Sequence, residues 1–182
     1  GGGAIPAVYA QRMRHAKASG KQIVELVKKG IKANDILSFE AIQNAIMFLM
    51  ATGGSTNGVL HLSALANELG YDPSLIMKEF DRLSNEIPQI VRIFPSGTND
   101  YVMEYFYFSG GVPRVMENLR SKLNLDVMTC TGKTLRENID DYVYQYKDCN
   151  PEIIRTLDQP FGMGGLAILR GNLAPDTAVC KP

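Results

Sequence analysis

The residues best suited to chemistry are Gly53, Gly54, Ser55, Thr56 and Asn57, which stand directly before the apolar run Gly58-Val-Leu-His-Leu-Ser-Ala-Leu-Ala66. Apolar residues at helical spacing predict a helix there, and a helix start leaves backbone N–H groups without intrahelical partners. Those groups and the positive end of the helix dipole attract a carboxylate or a phosphate. Ser55, Thr56 and Asn57 are each competent caps, and Gly53 and Gly54 let a ligand approach the main chain with no Cβ in the way. These five residues are the candidate substrate-binding set. The same string serves equally as a tight turn into a helix, so the pattern alone leaves both readings open. His61, about one turn inside the helix, is a secondary candidate. Its helical neighbours Asn57, Gly58, Ala64 and Leu65 include no acid or nucleophile, and a satisfied packing histidine explains it as well.

Two other constellations are weaker. Thr131-Gly-Lys-Thr134 looks like the end of a phosphate-binding P-loop, but the glycine required upstream falls on Val127, so Lys133 reads as a solvated side chain. Cys130, Cys149 and Cys180 are odd in number, widely separated and without a Cys-x-x-Cys pair, and His15 and His61 are the only histidines. That pattern argues against a zinc site and against a disulfide framework. No metal ligand and no catalytic residue is assigned within the chain.

The elements that must position the glycine stretch are mostly helical. Tyr9, Met13, Ala16, Ile23, Val24 and Val27 recur near helical spacing between basic residues, predicting a half-buried helix weakened at Gly20 and stopped at Gly30. Ser38 caps a second helix running to about Met50, with Ile42, Ala45, Ile46, Leu49 and Met50 toward the core. Asn44 lies inside that apolar segment and must be hydrogen-bonded if buried; bracing the following glycine turn is preferred to substrate contact. The helix after the turn carries Val59, Leu60, Leu62, Leu65, Ala66 and Leu69 on more than one face, which predicts burial on most sides. Asp72 and Pro73 start the next helix and Pro88 ends it. Short strands are expected at 90–94 and 126–130, and helices at 101–108, 113–123 and after Thr134. Residues 142–151 read as irregular, with an extended connection at 153–160. Strands follow around 164–171 and from Thr177.

A chain of 182 residues holds one domain, or one domain and a piece of another. Lys plus Arg and Asp plus Glu number 19 each, so no net field recommends nucleic acid or an acidic membrane surface as partner. No apolar run is long enough to span a bilayer, and the glycine-rich beginning carries no leader pattern. These features fit a soluble, cytoplasmic protein.

The strings Asn44-Ala-Ile and Gly53-Gly-Ser-Thr-Asn-Gly-Val-Leu-His-Leu62 together resemble the central signature of the dihydroxy-acid dehydratase and phosphogluconate dehydratase family. Phe94-Pro-Ser-Gly97, Gly110-Gly111-Val-Pro113, Thr131-Gly-Lys-Thr134 with Glu137-Asn138, and Gly164-Gly-Leu-Ala-Ile-Leu-Arg-Gly-Asn-Leu-Ala-Pro175 agree in order. The resemblance covers nearly all of the chain. It implies an α/β fold: 1–150 as the latter part of a helix-rich N-terminal α/β domain, and 151–182 as a linker and the first strands of a truncated C-terminal β-barrel domain. It implies a hydro-lyase that converts a 2,3-dihydroxy acid to a 2-keto acid, with branched-chain amino-acid biosynthesis as the first choice and a sugar-acid dehydratase as the alternative. Leu123-Asn-Leu-Asp126 and Lys181-Pro182 are somewhat more similar to the sugar-acid branch. Family members use an iron–sulfur cluster, a magnesium ion and a C-terminal serine base; the ligands and the serine would lie outside this chain, which alone would be inactive. The small hydroxy acid would be the partner, and the intact enzyme a homo-oligomer. A non-catalytic truncated scaffold is the reading from another class.

Overall fold

In a computed structural model, every residue is described except Asn99, Lys147 and Pro182, so the proline of the Lys181-Pro182 ending lies outside the described residues. The helices α1 (Ala10–Lys28), α2 (Ala33–Ile36), α3 (Phe39–Thr52), α4 (Asn57–Glu68) and α5 (Pro73–Glu86) come first. Then follow β1 (Pro88–Gln89), α6 (Met103–Phe108), α7 (Gly111–Asn118), α8 (Leu135–Asp140), β2 (Gly162–Met163), β3 (Ala167–Gly171) and β4 (Ala174–Cys180). The protein is helix-rich, and its strands form two small antiparallel sheets, β1 with β2 and β3 with β4.

The core lies between α3, α4 and α5 and extends under the irregular second half. Ile42, Ile46 and Met50 of α3 pack with Ile76, Phe80 and Leu83 of α5, all fully buried, and with Ile90, Val91, Val115, Leu119 and Leu166. Removing that much apolar surface from water is the main force holding α3 at the centre. Ser38 caps α3 by accepting from the Ala41 N–H at 3.2 Å, and Asp72 caps α5 by accepting from the Ser74 N–H at 2.8 Å. Thr134 and Glu137 form a reciprocal capping box at the start of α8.

Several expectations are corrected. Helix α1 runs unbroken through Gly20, because one glycine costs a helix only about 1 kcal/mol. It is not half-buried: Leu26 is its only buried residue, while Met13, Ile23, Val24 and Val27 stand exposed. Helix α4 buries Val59 and Ala66 but exposes Leu60, so it is covered on one side rather than most. The segment 90–94 is extended but makes only isolated bridges at Val91 and Ile93. The N–H groups of Ile90 and Val91 both go to the Ala51 carbonyl at the end of α3, at 2.9 and 3.0 Å, and are lost to any ladder. Likewise 126–130 contributes a single bridge, Met128 to Thr134, closing a tight turn. Helix α7 begins at Gly111 and ends at Asn118, after which Arg120 and Lys122 make successive turns.

Buried Asn44 does not brace the glycine turn. Its Nδ2 donates to the Asn124 carbonyl and its Oδ1 accepts from the Asn124 N–H, both at 2.8 Å, so it fastens the loop after α7 to the middle of α3. Lys133 pairs with Asp141 at 2.7 Å on an exposed surface. In the β3–β4 hairpin the register shifts between Leu169 and Gly171, and Thr177, inside the bulged strand, takes a positive φ of 114°.

Candidate functional site

The glycine stretch forms the junction between α3 and α4, and the structure explains each glycine locally. Gly53 closes α3 in the left-handed region, at φ 56° and ψ 46°, where a Cβ is disfavoured. Gly54 and Gly58 leave room for Leu49: a Cβ built on them would stand 2.3 and 2.6 Å from its Cδ1. Three distant segments then converge on the turn. Ile90 and Val91 donate to Ala51, as above. The Ser96 hydroxyl donates to the Gly53 carbonyl at 2.6 Å. The Gly165 N–H donates to the Met50 carbonyl at 3.1 Å.

Gly165 sits so close that a Cβ there would lie 2.2 Å from Gly53 Cα and 2.7 Å from Gly53 N. Both contacts are with main chain, which cannot swing aside as a side chain can. The stretch before β3 is thus seated directly on the glycine turn.

Beside this junction opens a cleft of about 550 Å³. Thr52, Gly53, Gly54, Ser55 and Thr56 form one side, and Ile93, Phe94, Pro95 and Ser96 another. Phe48, Met103, Phe106 and Val112 give it a largely apolar wall, and Gly3, Ala4 and Lys181 complete the rim. Such a mixture of apolar wall and few polar groups suits a small organic ligand. Ser55 Oγ accepts from the Asn57 N–H at 3.2 Å, an early turn ahead of α4, and Thr56 stands at the cap position without a side-chain cap bond. Among the described residues, the Ser55 and Thr56 N–H groups meet no acceptor.

The structure therefore brings four candidates, Gly53, Gly54, Ser55 and Thr56, to one cleft. Asn57 is exposed at the first position of α4, and His61 is exposed on the same helix; neither is among the described residues lining the cleft. Ser96, Gly165 and Lys181 were missed as site residues. Ser96 and Gly165 lie within strings that carry the family resemblance, and Lys181 within the Lys181-Pro182 pair that is more similar to its sugar-acid branch; those strings were the available signal.

No iron–sulfur or magnesium site is formed by this chain's described residues. No three of their His, Cys, Asp or Glu side chains converge as a metal site would require. Cys130 and Cys180 are exposed, and Cys149 donates its thiol to the Ile154 carbonyl at 3.5 Å while burial pushes its pKa up. A thiol so placed is poorly disposed to ionise and bind metal.

The structure defines a helix-rich domain with a cleft of mixed polar and apolar lining beside a glycine turn. Residues 1–138 match the family described as dihydroxy-acid/6-phosphogluconate dehydratase N-terminal, and the chain belongs to that family. Over 184 residues it is 47% identical to the dihydroxy-acid dehydratase of Acetivibrio thermocellus and 48% identical to that of Ruminiclostridium cellulolyticum. Over 185 residues it is 44% identical to that of Metallosphaera sedula. Each comparison covers 100% of this chain and 32% of the relative. The chain thus spans about a third of the length of the curated relatives it matches.

Proposed function

We propose that this chain is part of the active-site framework of a hydro-lyase that removes water from a 2,3-dihydroxy acid to give a 2-keto acid, with a branched-chain precursor as substrate. The observation that carries the reading is the glycine turn, whose Gly53, Gly54, Ser55 and Thr56 line a cleft of about 550 Å³ and whose Ser55 and Thr56 N–H groups meet no acceptor among the described residues. The agreement with dihydroxy-acid dehydratases along the full chain supports the branched-chain choice over a sugar-acid substrate.

In this reading Gly53, Gly54, Ser55, Thr56 and Asn57 contact or frame the substrate, with His61 in a supporting place. Residues 1–150 belong to the N-terminal α/β domain, and 151–182 are the linker and first strands of a β-barrel, to which the β3–β4 hairpin corresponds. The iron–sulfur cluster and magnesium ion of the family are held by residues outside this chain, so no step of the reaction is assigned to its cysteines. The whole enzyme works in the cytoplasm as a homo-oligomer. Among the described residues, no helix is long and apolar enough to cross a membrane.

The test is a chimera in which these 182 residues replace the matching stretch of the Acetivibrio thermocellus relative. With its cluster reconstituted anaerobically, the chimera should form 2-keto acid from a branched 2,3-dihydroxy acid. Ser55→Ala and Thr56→Ala should weaken turnover or affinity. A folded, cluster-loaded chimera without activity would support the scaffold alternative, and unchanged kinetics in both variants would remove the turn from the site.

A further inference from the structure

We infer that α1 carries a docking face for an amphipathic helix with an acidic edge, supplied by polypeptide of the same full-length protein outside these 182 residues. The face is independent of which reaction the protein performs.

The spacing of the face is that of a helix seam. Met13, Ala16, Gly20, Ile23 and Val27 follow one another at three, four, three and four residues, which sets them in one row along α1. All five are exposed, Met13 by 74% and Val27 by 71%, and Val24 stands exposed beside them. Alternation of three and four marks the line where one helix lies along another and side chains of the partner enter between those of the row. The middle of the row is a notch: Ala16 and Gly20 are small, and a Cβ built on Gly20 meets nothing within 4 Å. Such a notch admits a large side chain from a second helix. A helix lying in a membrane interface instead presents bulky aromatic and leucine side chains, which this row lacks.

Charge selects the partner. One flank of the row is closed by the body of the protein: Leu26 is buried, and Arg12 Nη1 donates to the Gly2 and Ile5 carbonyls at 2.5 and 3.0 Å. The open flank carries Arg14, Lys17 and Lys21, which form no ion pair among the described residues, and Lys28, which pairs with Glu25 at 2.7 Å. Two copies of α1 laid antiparallel along the seam would set these cations against each other. A parallel pair would drive the open flank of one copy into the body of the other. A second α1 is therefore the wrong occupant, and acidic side chains along the partner's edge are the right complement.

The source follows from length. In the relatives compared, this chain matches 32% of the polypeptide, so the larger part lies elsewhere in the same molecule. A tethered segment meets α1 at an effective concentration on the order of millimolar, which favours it over a separate protein.

The test reads thermal midpoints of the 182-residue chain and of its chimera with the Acetivibrio thermocellus relative. In the chain alone, Gly20→Leu gains helix propensity on an open face and should raise the midpoint by about 2–4 °C. In the chimera the same side chain fills the notch and should lower the midpoint by about 2 °C or more. A second arm titrates the chain with a capped, fluorescent helical peptide of about twenty residues, with Ile and Leu in its seam and Glu along its edges. That peptide should bind saturably, and a Lys-edged counterpart about tenfold more weakly or worse. V27D should abolish binding, and K17Q combined with K21Q should erase the preference for Glu.

The same sign for Gly20→Leu in chain and chimera, or equal binding of the two peptides, would overturn the inference. Dimers of the chain that V27D dissolves would overturn the occupant in favour of a second copy, and V27D-sensitive binding to phosphatidylserine vesicles would do so in favour of a membrane. A sign reversal in a chimera without activity would uphold the docking face and remove only the dehydratase reading.

Discussion

Replacing Gly165 by alanine should loosen the seating of the β3–β4 hairpin on the glycine turn, at a cost set by main-chain contact. The added methyl would stand 2.2 Å from Gly53 Cα, 2.7 Å from Gly53 N and 2.8 Å from the Met50 carbonyl oxygen. Relief requires the two backbones to separate by more than an ångström, lengthening the 3.1 Å bond from the Gly165 N–H to Met50. Overpacking of this kind costs about 1–3 kcal/mol. For a chain of this size each kcal/mol lowers the thermal midpoint by about 2–4 °C, so a fall of about 2–12 °C is expected. The control is Gly162→Ala, where a Cβ meets nothing within 4 Å. Both variants are compared by urea unfolding and by a thermal scan. If Gly165→Ala lies within about 0.5 kcal/mol of Gly162→Ala, the usual range of surface changes, the close seating is refuted.

Two further outcomes are expected. Asn44→Ala leaves the Asn124 N–H and carbonyl without their partner and should cost about 2 kcal/mol or more; a urea midpoint unmoved by Asn44→Ala would contradict the assignment. Acid should destabilise the fold, because the Ser74 N–H holds the Asp72 carboxyl below its usual range, as Arg82 does for Glu79, the Thr134 N–H and hydroxyl for Glu137, and Arg120 for Asp140. Groups whose pKa is lowered by folding stabilise the protein above the unfolded carboxylate range, about pH 4, and lose that contribution as pH falls through their folded values. The urea midpoint should therefore decline below about pH 5, less steeply in Glu137→Gln; a midpoint that rises on acidification would reverse the sign of the argument.

The local chemistry of this fold was legible where it depends on neighbours in sequence. Ser38 and Asp72 cap the helices that follow them, whereas the Thr134 cap and the left-handed Gly53 that ends α3 were not read from the sequence. Hydrophobic spacing located Ile42, Ile46 and Met50 in the core. What stayed hidden depends on which distant segment arrives. Asn44 was known to need partners, but nothing nearby in sequence indicates Asn124. The strands expected at 90–94 and 126–130 shrank because a ladder needs a neighbour, and the donors of Ile90 and Val91 were claimed by a helix end. Helix α1 shows the limit of periodicity: its apolar positions are spaced for a core, yet most stand exposed.

For the site, the glycine turn could be found from residue types alone, because a helix start has a signature. The place of Lys181 could not, although the pair Lys181-Pro182 carries part of the resemblance: its ammonium meets the buried hydroxyl of Ser96, which another part of the chain brings there.

Gly3 and Ala4 meet Lys181 around the same cleft, so the first and last parts of this sequence are spatial neighbours. In the relatives, roughly two thirds of the polypeptide lies outside the matched stretch. A ligand in the cleft would touch both parts at once, so a shift in either would reach it without passing through the helical core.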